Sequence, residues 1–153
     1  MRVEVANLQR RVPISRARVR RIAGLALSAL GRRGSEVHLT LVSDRAIRRL
    51  NARFRGVRRR TDVLAFPLES PGPSALLGEV IISAETCRRQ ARRLRVLPAV
   101  ELDLLVVHGL LHLAGYDDRD SLEARLMHQR ARAILQMASR AIPRRLWAGL
   151  LPA

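Results

Sequence analysis

Segments with a two-residue period alternate along this chain with segments of helical period, and that interleaving limits the folds open to it. Arg2–Leu8 alternates apolar and polar residues and predicts a strand. Ser15 is a suitable N-cap for a helix over about Arg16–Leu30, whose Val19, Ile22, Ala23, Ala26 and Leu27 form one apolar stripe before Gly31 and Gly34 end it. Glu36–Val42 alternates again and sets Val37, Leu39 and Leu41 on one face of a second strand. Ser43 and Asp44 cap a further helix to about Phe54, with Ile47, Leu50 and Phe54 at helical spacing. Asp62–Phe66, running into Pro67, predicts a short third strand, and 69–75, with Pro71, Gly72 and Pro73, a loop. Gly78–Ser83 predicts the fourth strand, and its unbroken Val80-Ile81-Ile82 implies burial on both faces. Helices between the first three strands call for at least one parallel crossover.

The remainder reads as helical. Ser83–Leu94 is one helix, Pro98 opens a longer one through about Ala114, and Leu122–Ser139 is a third. Pro143, Arg144 and Arg145 mark residues 141–153 as a loose basic tail, with Trp147 and Leu150 docked. The expected architecture is a single α+β domain over residues 1–140, with a mixed four-stranded sheet packed by about five helices. A length of 153 residues suits one domain, and with 48% apolar but 3% aromatic residues the core must be aliphatic.

Within the long helix, His108 and His112 are four residues apart, which places both imidazoles on one face, one turn from each other. Gly115 lets the chain leave the helix through a conformation other residues resist, and Asp117 and Asp118 follow within reach of a fold-back. Asp118 is the preferred third ligand, Asp117 the nearest substitute, and His128 and His38 more distant ones. Two histidines and a carboxylate suit a single zinc ion, and also manganese or nickel. Three protein ligands leave a coordination position open, the mark of a catalytic rather than a structural zinc site. A metal-dependent hydrolase is expected, its metal site on a helix and the following turn. The spacing His-x3-His-x2-Gly-x2-Asp also matches the metal framework of metzincin peptidases. Those need a glutamate directly after the first histidine as general base, and here Gly109 occupies that place.

The formal net charge is +16, with all 29 basic residues arginine against 13 acids. A GC-rich coding sequence accounts for the missing lysine but not for the excess charge, which points to a polyanionic partner. Cys87 is the only cysteine, so no intrachain disulfide can form. A reducing compartment is expected, and Cys87 reads as a packing residue of its helix. The N-terminus lacks the apolar core of a signal peptide and no stretch reaches about 18 apolar residues, so a cytoplasmic protein without a membrane partner is expected.

The segment from His108 to Asp117 resembles the signature of the YbeY family of bacterial rRNA maturation endoribonucleases. Leu50-Asn51-Ala52-Arg53-Phe54-Arg55-Gly56 and Thr61–Pro67 are similar to the family's Leu-Asn-x-x-Tyr-Arg-Gly and Thr-Asp-Val-Leu-Ser-Phe-Pro segments. Leu77–Ser83 is similar to its Leu-Gly-Asp-Ile-x-Ile-Ser strand. The three motifs keep the family's order from Leu50 to Asp118. The resemblance implies a single-strand endoribonuclease acting in small-subunit rRNA maturation and ribosome quality control, with one zinc per chain. It also implies a functional role for Arg55, whose guanidinium would clamp the scissile phosphate. One departure stands out: the family has histidine where this chain has Asp118. Aspartate binds zinc at a similar distance but lowers the net charge of the site, so the ion should acidify water less strongly.

Arg58, Arg59 and Arg60 adjoin Arg55 as candidate contacts to the RNA backbone, and Arg88, Arg89, Arg92, Arg93 and Arg95 along one helix extend the basic surface. Few aromatics are available for base stacking, Phe54 and Tyr116 being the nearest, so weak sequence specificity is expected and no DNA specificity. Ribosomal proteins or a ribosome-assembly GTPase would then supply targeting, as the resemblance implies. Two other readings compete: a non-catalytic, ribosome-associated RNA-binding protein with a structural zinc, and a metzincin-like metallopeptidase, which Gly109 disfavours.

Overall fold

A computed structural model describes residues 2–55, 62–68, 76–139 and 141–150 of the chain. The elements run β1 (Arg2–Asn7), α1 (Arg16–Ala29), β2 (Glu36–Val42), α2 (Asp44–Arg55), β3 (Val63–Pro67), β4 (Leu76–Ser83), α3 (Ala84–Leu94), α4 (Pro98–Leu113) and α5 (Ser121–Ala138). A 3-10 helix over Arg144–Leu150 follows. The boundaries fall within one or two residues of those expected from periodicity.

The four strands form one sheet in the order β1-β2-β4-β3. β1 pairs with β2 and β2 with β4 in parallel, while β3 runs antiparallel to β4. The helix α1 therefore forms a parallel crossover from β1 to β2, α2 together with β3 connects β2 to its parallel neighbour β4, and the expected mixed α+β sheet is found. Alternation then sorts the side chains. Val37, Leu39, Leu41, Val80 and Ile82 face the larger core, built with α1, α4 and α5. Leu64 and Ile81 face the other side, where Ile47 of α2 covers them. This two-sided burial is what the unbroken apolar run of β4 required.

Local hydrogen bonds fix where helices begin. The Ser15 hydroxyl accepts from the Arg18 N–H and starts α1, and the Ser83 hydroxyl accepts from the Thr86 N–H and starts α3. The starts of α2 and α3 are joined through Asp44, which accepts from Ser83 Oγ and Thr86 Oγ1 at 2.6 Å and from Arg89 at 2.6 Å. Burial opposes ionisation of Asp44, but the Arg89, Ser83 and Thr86 hydrogen bonds overcome it and hold the carboxyl well below its ordinary range.

α4 is the central helix, buried along most of its length from Glu101 to Leu113. It lies so close to the sheet at Gly109 that a Cβ there would collide with the Val80 side chain and approach Val63 Cγ2 to 3.3 Å. Within the segment expected to be a loose tail, Leu146 is fully buried in the main core and Trp147 packs against it. Leu150 closes the 3-10 helix, and its side chain lies outside the described set. Cys87 is buried, and burial together with Glu101, Asp62 and Asp103 pushes its thiol far up, as befits a packing residue. No single described helix is long and apolar enough to cross a membrane.

Candidate metal centre

His108 and His112 project from the C-terminal half of α4 with their ring centroids 5.0 Å apart. The helix ends in a left-handed turn. Gly115 takes φ +101, its N–H donates to the His112 carbonyl at 3.1 Å, and the Tyr116 N–H donates to the Leu111 carbonyl at 3.0 Å. Those two bonds reverse the chain and return Asp118 to the histidines. One ligating atom from each of His108, His112 and Asp118 lies within 4.8 Å of the others. The histidines are half-buried and the aspartate exposed.

The electrostatics suit a cation. His112 Nδ1 sits 3.2 Å from the Tyr116 carbonyl oxygen, which can only accept, so Nδ1 carries the proton and Nε2 is left as the ligating lone pair. Burial, and then the proximity of His112, push His108 down to about 4 against the pull of Asp62 and Asp118. His108 is therefore neutral near pH 7, the form that ligates a metal. Two imidazoles and a carboxylate form a donor set that fits a first-row divalent ion, so these residues could hold one.

The other candidate ligands are placed elsewhere or engaged. Asp117 Oδ1 accepts the Asp118 N–H at 2.8 Å, and its Oδ2 pairs with Arg119 at 2.6 Å. His128, on α5, has its ring 6.3 Å from that of His108 and lies outside the triad, although it lines the same cleft. His38 belongs to the opposite face of the sheet and pairs with Glu36 at 3.3 Å. Among carboxylates of the type that orients a ligating histidine, Glu79 also points to that far face, and Asp103 is held by Arg18 at 2.7 Å. Asp62 is the one that stays with the site: it lines the clefts on both sides of His108.

Those clefts meet at the triad. One, of about 560 Å³, runs between α3, α4 and α5 past Gln90, Arg93, Glu101, His108, Asp118 and His128. The second, of about 710 Å³, is bounded by β3, the turn after α4 and Phe54, and shares Asp62, His108 and Asp118 with the first. Phe54 is exposed and packs edge-on against Phe66 with centroids 5.6 Å apart, so the end of α2 forms a rim of the second cleft. Arg55 is the last residue of α2, and its side chain lies outside the described set, as do Arg58, Arg59 and Arg60 entirely. The arginines of α3 divide: Arg93 lines the first cleft, Arg89 is committed to Asp44, and Arg88 reaches the Arg11 carbonyl at 3.3 Å.

Two residues of the first cleft escaped the sequence reading. Glu101 is only 4% exposed, its Oε2 has no hydrogen-bond partner, and burial and then Asp62 push it up to about 7 against Arg93. Gln90 Oε1 is likewise buried and unpartnered. The signal for Glu101 was present: it precedes His108 by seven residues, two turns on one helix face.

Comparisons with known proteins identify the family. The family model described as Endoribonuclease YbeY matches residues 4–139. A relative from an Anaeromyxobacter strain, named Endoribonuclease YbeY, is 50% identical over 111 residues, 72% of this chain and 58% of the relative. The chain thus spans under two thirds of that protein. The Geobacter metallireducens protein of the same name is 40% identical over 146 residues, covering 92% of this chain and 97% of its own length. In fold, the solution structure of a Thermotoga maritima protein superposes with a TM-score of 0.59 at 24% identity, covering 96% of this chain and 90% of that one. With a family model over most of the chain and a relative matched along nearly its whole length, the chain belongs to the YbeY endoribonuclease family.

Proposed function

We propose that this chain is a zinc-dependent endoribonuclease that cleaves single-stranded RNA, acting in small-subunit rRNA maturation and ribosome quality control. The observation that carries the reading is the His108–His112–Asp118 triad at the junction of two clefts, in a chain of +16 net charge. The three residues hold one ion, zinc by the borderline character of the donor set. When bound, it supplies Lewis acidity toward the phosphate and lowers the pKa of water.

The chain's own groups do the rest. Tyr116 orients His112 through its carbonyl, and burial keeps His108 neutral, so both imidazoles present lone pairs. Arg55 clamps the scissile phosphate and offsets the charge that develops there, while Arg58, Arg59 and Arg60 track the backbone. Phe54 and Tyr116, which line the second cleft, offer ring faces to unstacked bases. Ribosomal proteins or a ribosome-assembly GTPase supply the targeting, and the compartment is the cytoplasm.

The peptidase alternative meets a steric barrier. The position after the first histidine is Gly109, where even a Cβ collides with Val80, so no glutamate base fits. The test is cleavage of a single-stranded RNA by zinc-loaded protein, parent against Arg55→Ala. We expect chelator-sensitive cleavage by the parent and a loss on the order of a hundredfold in the variant, with zinc retained. Equal rates would remove Arg55 from the mechanism. One zinc per chain without any RNA cleavage would favour an RNA-binding protein with a structural metal.

A further inference from the structure

We propose that the cleft between α3 and α4 is a base-reading subsite that takes guanine, with Gln90 Oε1 and Glu101 Oε2 accepting the N–H donors of its Watson–Crick edge. The inference rests on the endoribonuclease reading above and names what its substrate presents next to the metal triad.

Two observations on different helices carry it. Glu101 Oε2, from α4, and Gln90 Oε1, from α3, are both buried and both without a hydrogen-bond partner, and both residues line this one cleft. The amide orientation of Gln90 is fixed, because its Nε2 faces Asp62 Oδ2 at 3.4 Å, which leaves the oxygen as the free end. A buried acceptor without a partner is costly, so a site with two of them selects a ligand that brings donors. Leu94, Leu104 and Leu105 supply apolar wall, and the volume of about 560 Å³ suits a nucleotide. Arg93 lines the cleft for a flanking phosphate, and His108 and Asp118 line it too, so a base held here adjoins the candidate metal position.

The chemistry of the bases decides among them. Guanine alone presents two adjacent donors, N1–H and the N2 amino group, on one edge. Adenine and cytosine each present an amino group beside an acceptor, and uracil one N–H between two carbonyls. Either arrangement sets a lone pair against Gln90 Oε1 or Glu101 Oε2. Burial already holds Glu101 up at about 7, and a donor to Oε2 would relieve it.

The test needs no cleavage. Zinc-loaded protein is titrated calorimetrically with GMP, IMP, AMP, CMP and UMP. GMP should bind roughly tenfold more tightly than IMP, which lacks the N2 amino group, and more tightly than the other three. Of Glu101→Leu and Gln90→Leu, the one that removes the acceptor of the N2 amino group should bring the GMP-to-IMP ratio near one, and the other should weaken GMP and IMP alike, with thermal melting and zinc content as controls on folding. Equal affinities for GMP and IMP in the parent, or a ratio that survives both substitutions, overturns the subsite. A parallel cleavage assay on a single-stranded RNA separates the two claims. GMP selectivity without any RNA cleavage sinks the endoribonuclease reading and keeps the subsite, whereas cleavage without GMP selectivity does the reverse.

Discussion

Glu101 and Asp103 stand two residues apart on α4, and both are buried, yet they have opposite surroundings. Asp103 faces α1 and takes a two-pronged grip from Arg18, Nε at 3.0 Å and Nη2 at 2.7 Å. Glu101 lies about 200° around the helix and faces the cleft, with Oε2 unpartnered. One carboxylate joins two helices; the other is left to meet a ligand. The same division continues along α4. Gly109 is pressed against Val80 on the sheet side, while His108 and His112 open toward the clefts. A single helix thus carries a structural side and a chemical side, and what the neighbouring element offers decides which is which.

Substitutions on the two sides should therefore fail differently. The largest effect belongs to the chemical side: His112→Ala should weaken zinc binding on the order of a thousandfold, about 4 kcal/mol. A competition titration with a chromophoric chelator measures it, and the metal-free melting temperature should barely move. A comparable drop in melting temperature would mean that the histidine is a packing residue.

Gly109→Val reverses the pattern. Its side chain must enter space held by Val80 and Val63, so unfolding free energy should fall by about 3 kcal/mol in a denaturant titration. Folded molecules should keep parental zinc affinity. An unchanged denaturation midpoint would show that α4 can retreat from the sheet.

The smallest but most diagnostic contrast is between the two carboxylates themselves. Glu101 is pushed up to about 7, so its stabilising contribution is complete below the ordinary glutamate pKa and is lost as pH rises through 7. Glu101→Gln removes that loss. Metal-free variant and parent should be similar at pH 4, and the variant more stable by about 2–3 kcal/mol at pH 8. Asp103→Asn has the opposite sign at pH 8, since it strands Arg18; with that guanidinium partly exposed, the cost is about 1–2 kcal/mol. If both variants shift stability in the same direction, the two carboxylates are equivalent after all.

The fold was readable from sequence because each strand and helix carries its own period, and Val80-Ile81-Ile82 announced a strand covered on both faces. The grouping of His108, His112 and Asp118 was readable because all three residues lie within eleven positions, where helix geometry and one glycine turn bring them together. Gln90 and Glu101 were not, because their pairing depends on how α3 packs on α4, which no local period encodes. The arginines show the same limit. As sequence, Arg88 to Arg95 form one basic run, but packing commits Arg89 to Asp44 and turns Arg93 to the cleft. Residues 141–153 read as a tail from their charge, and the burial of Leu146 rests on contacts made far along the chain.

The tight fit at Gly109 also bears on how this metal scaffold can evolve. Two of the four glycine codons become glutamate codons by a single base change, so the motif His-Glu-x-x-His is a near neighbour of this sequence. In the folded protein that neighbour is closed off, because the new side chain would have to displace the central strand before it could reach any water. Drift toward peptide hydrolysis is blocked by the spacing between a helix and a sheet, and smaller side chains at positions 80 and 63 would have to accompany a glutamate at position 109 to open that path.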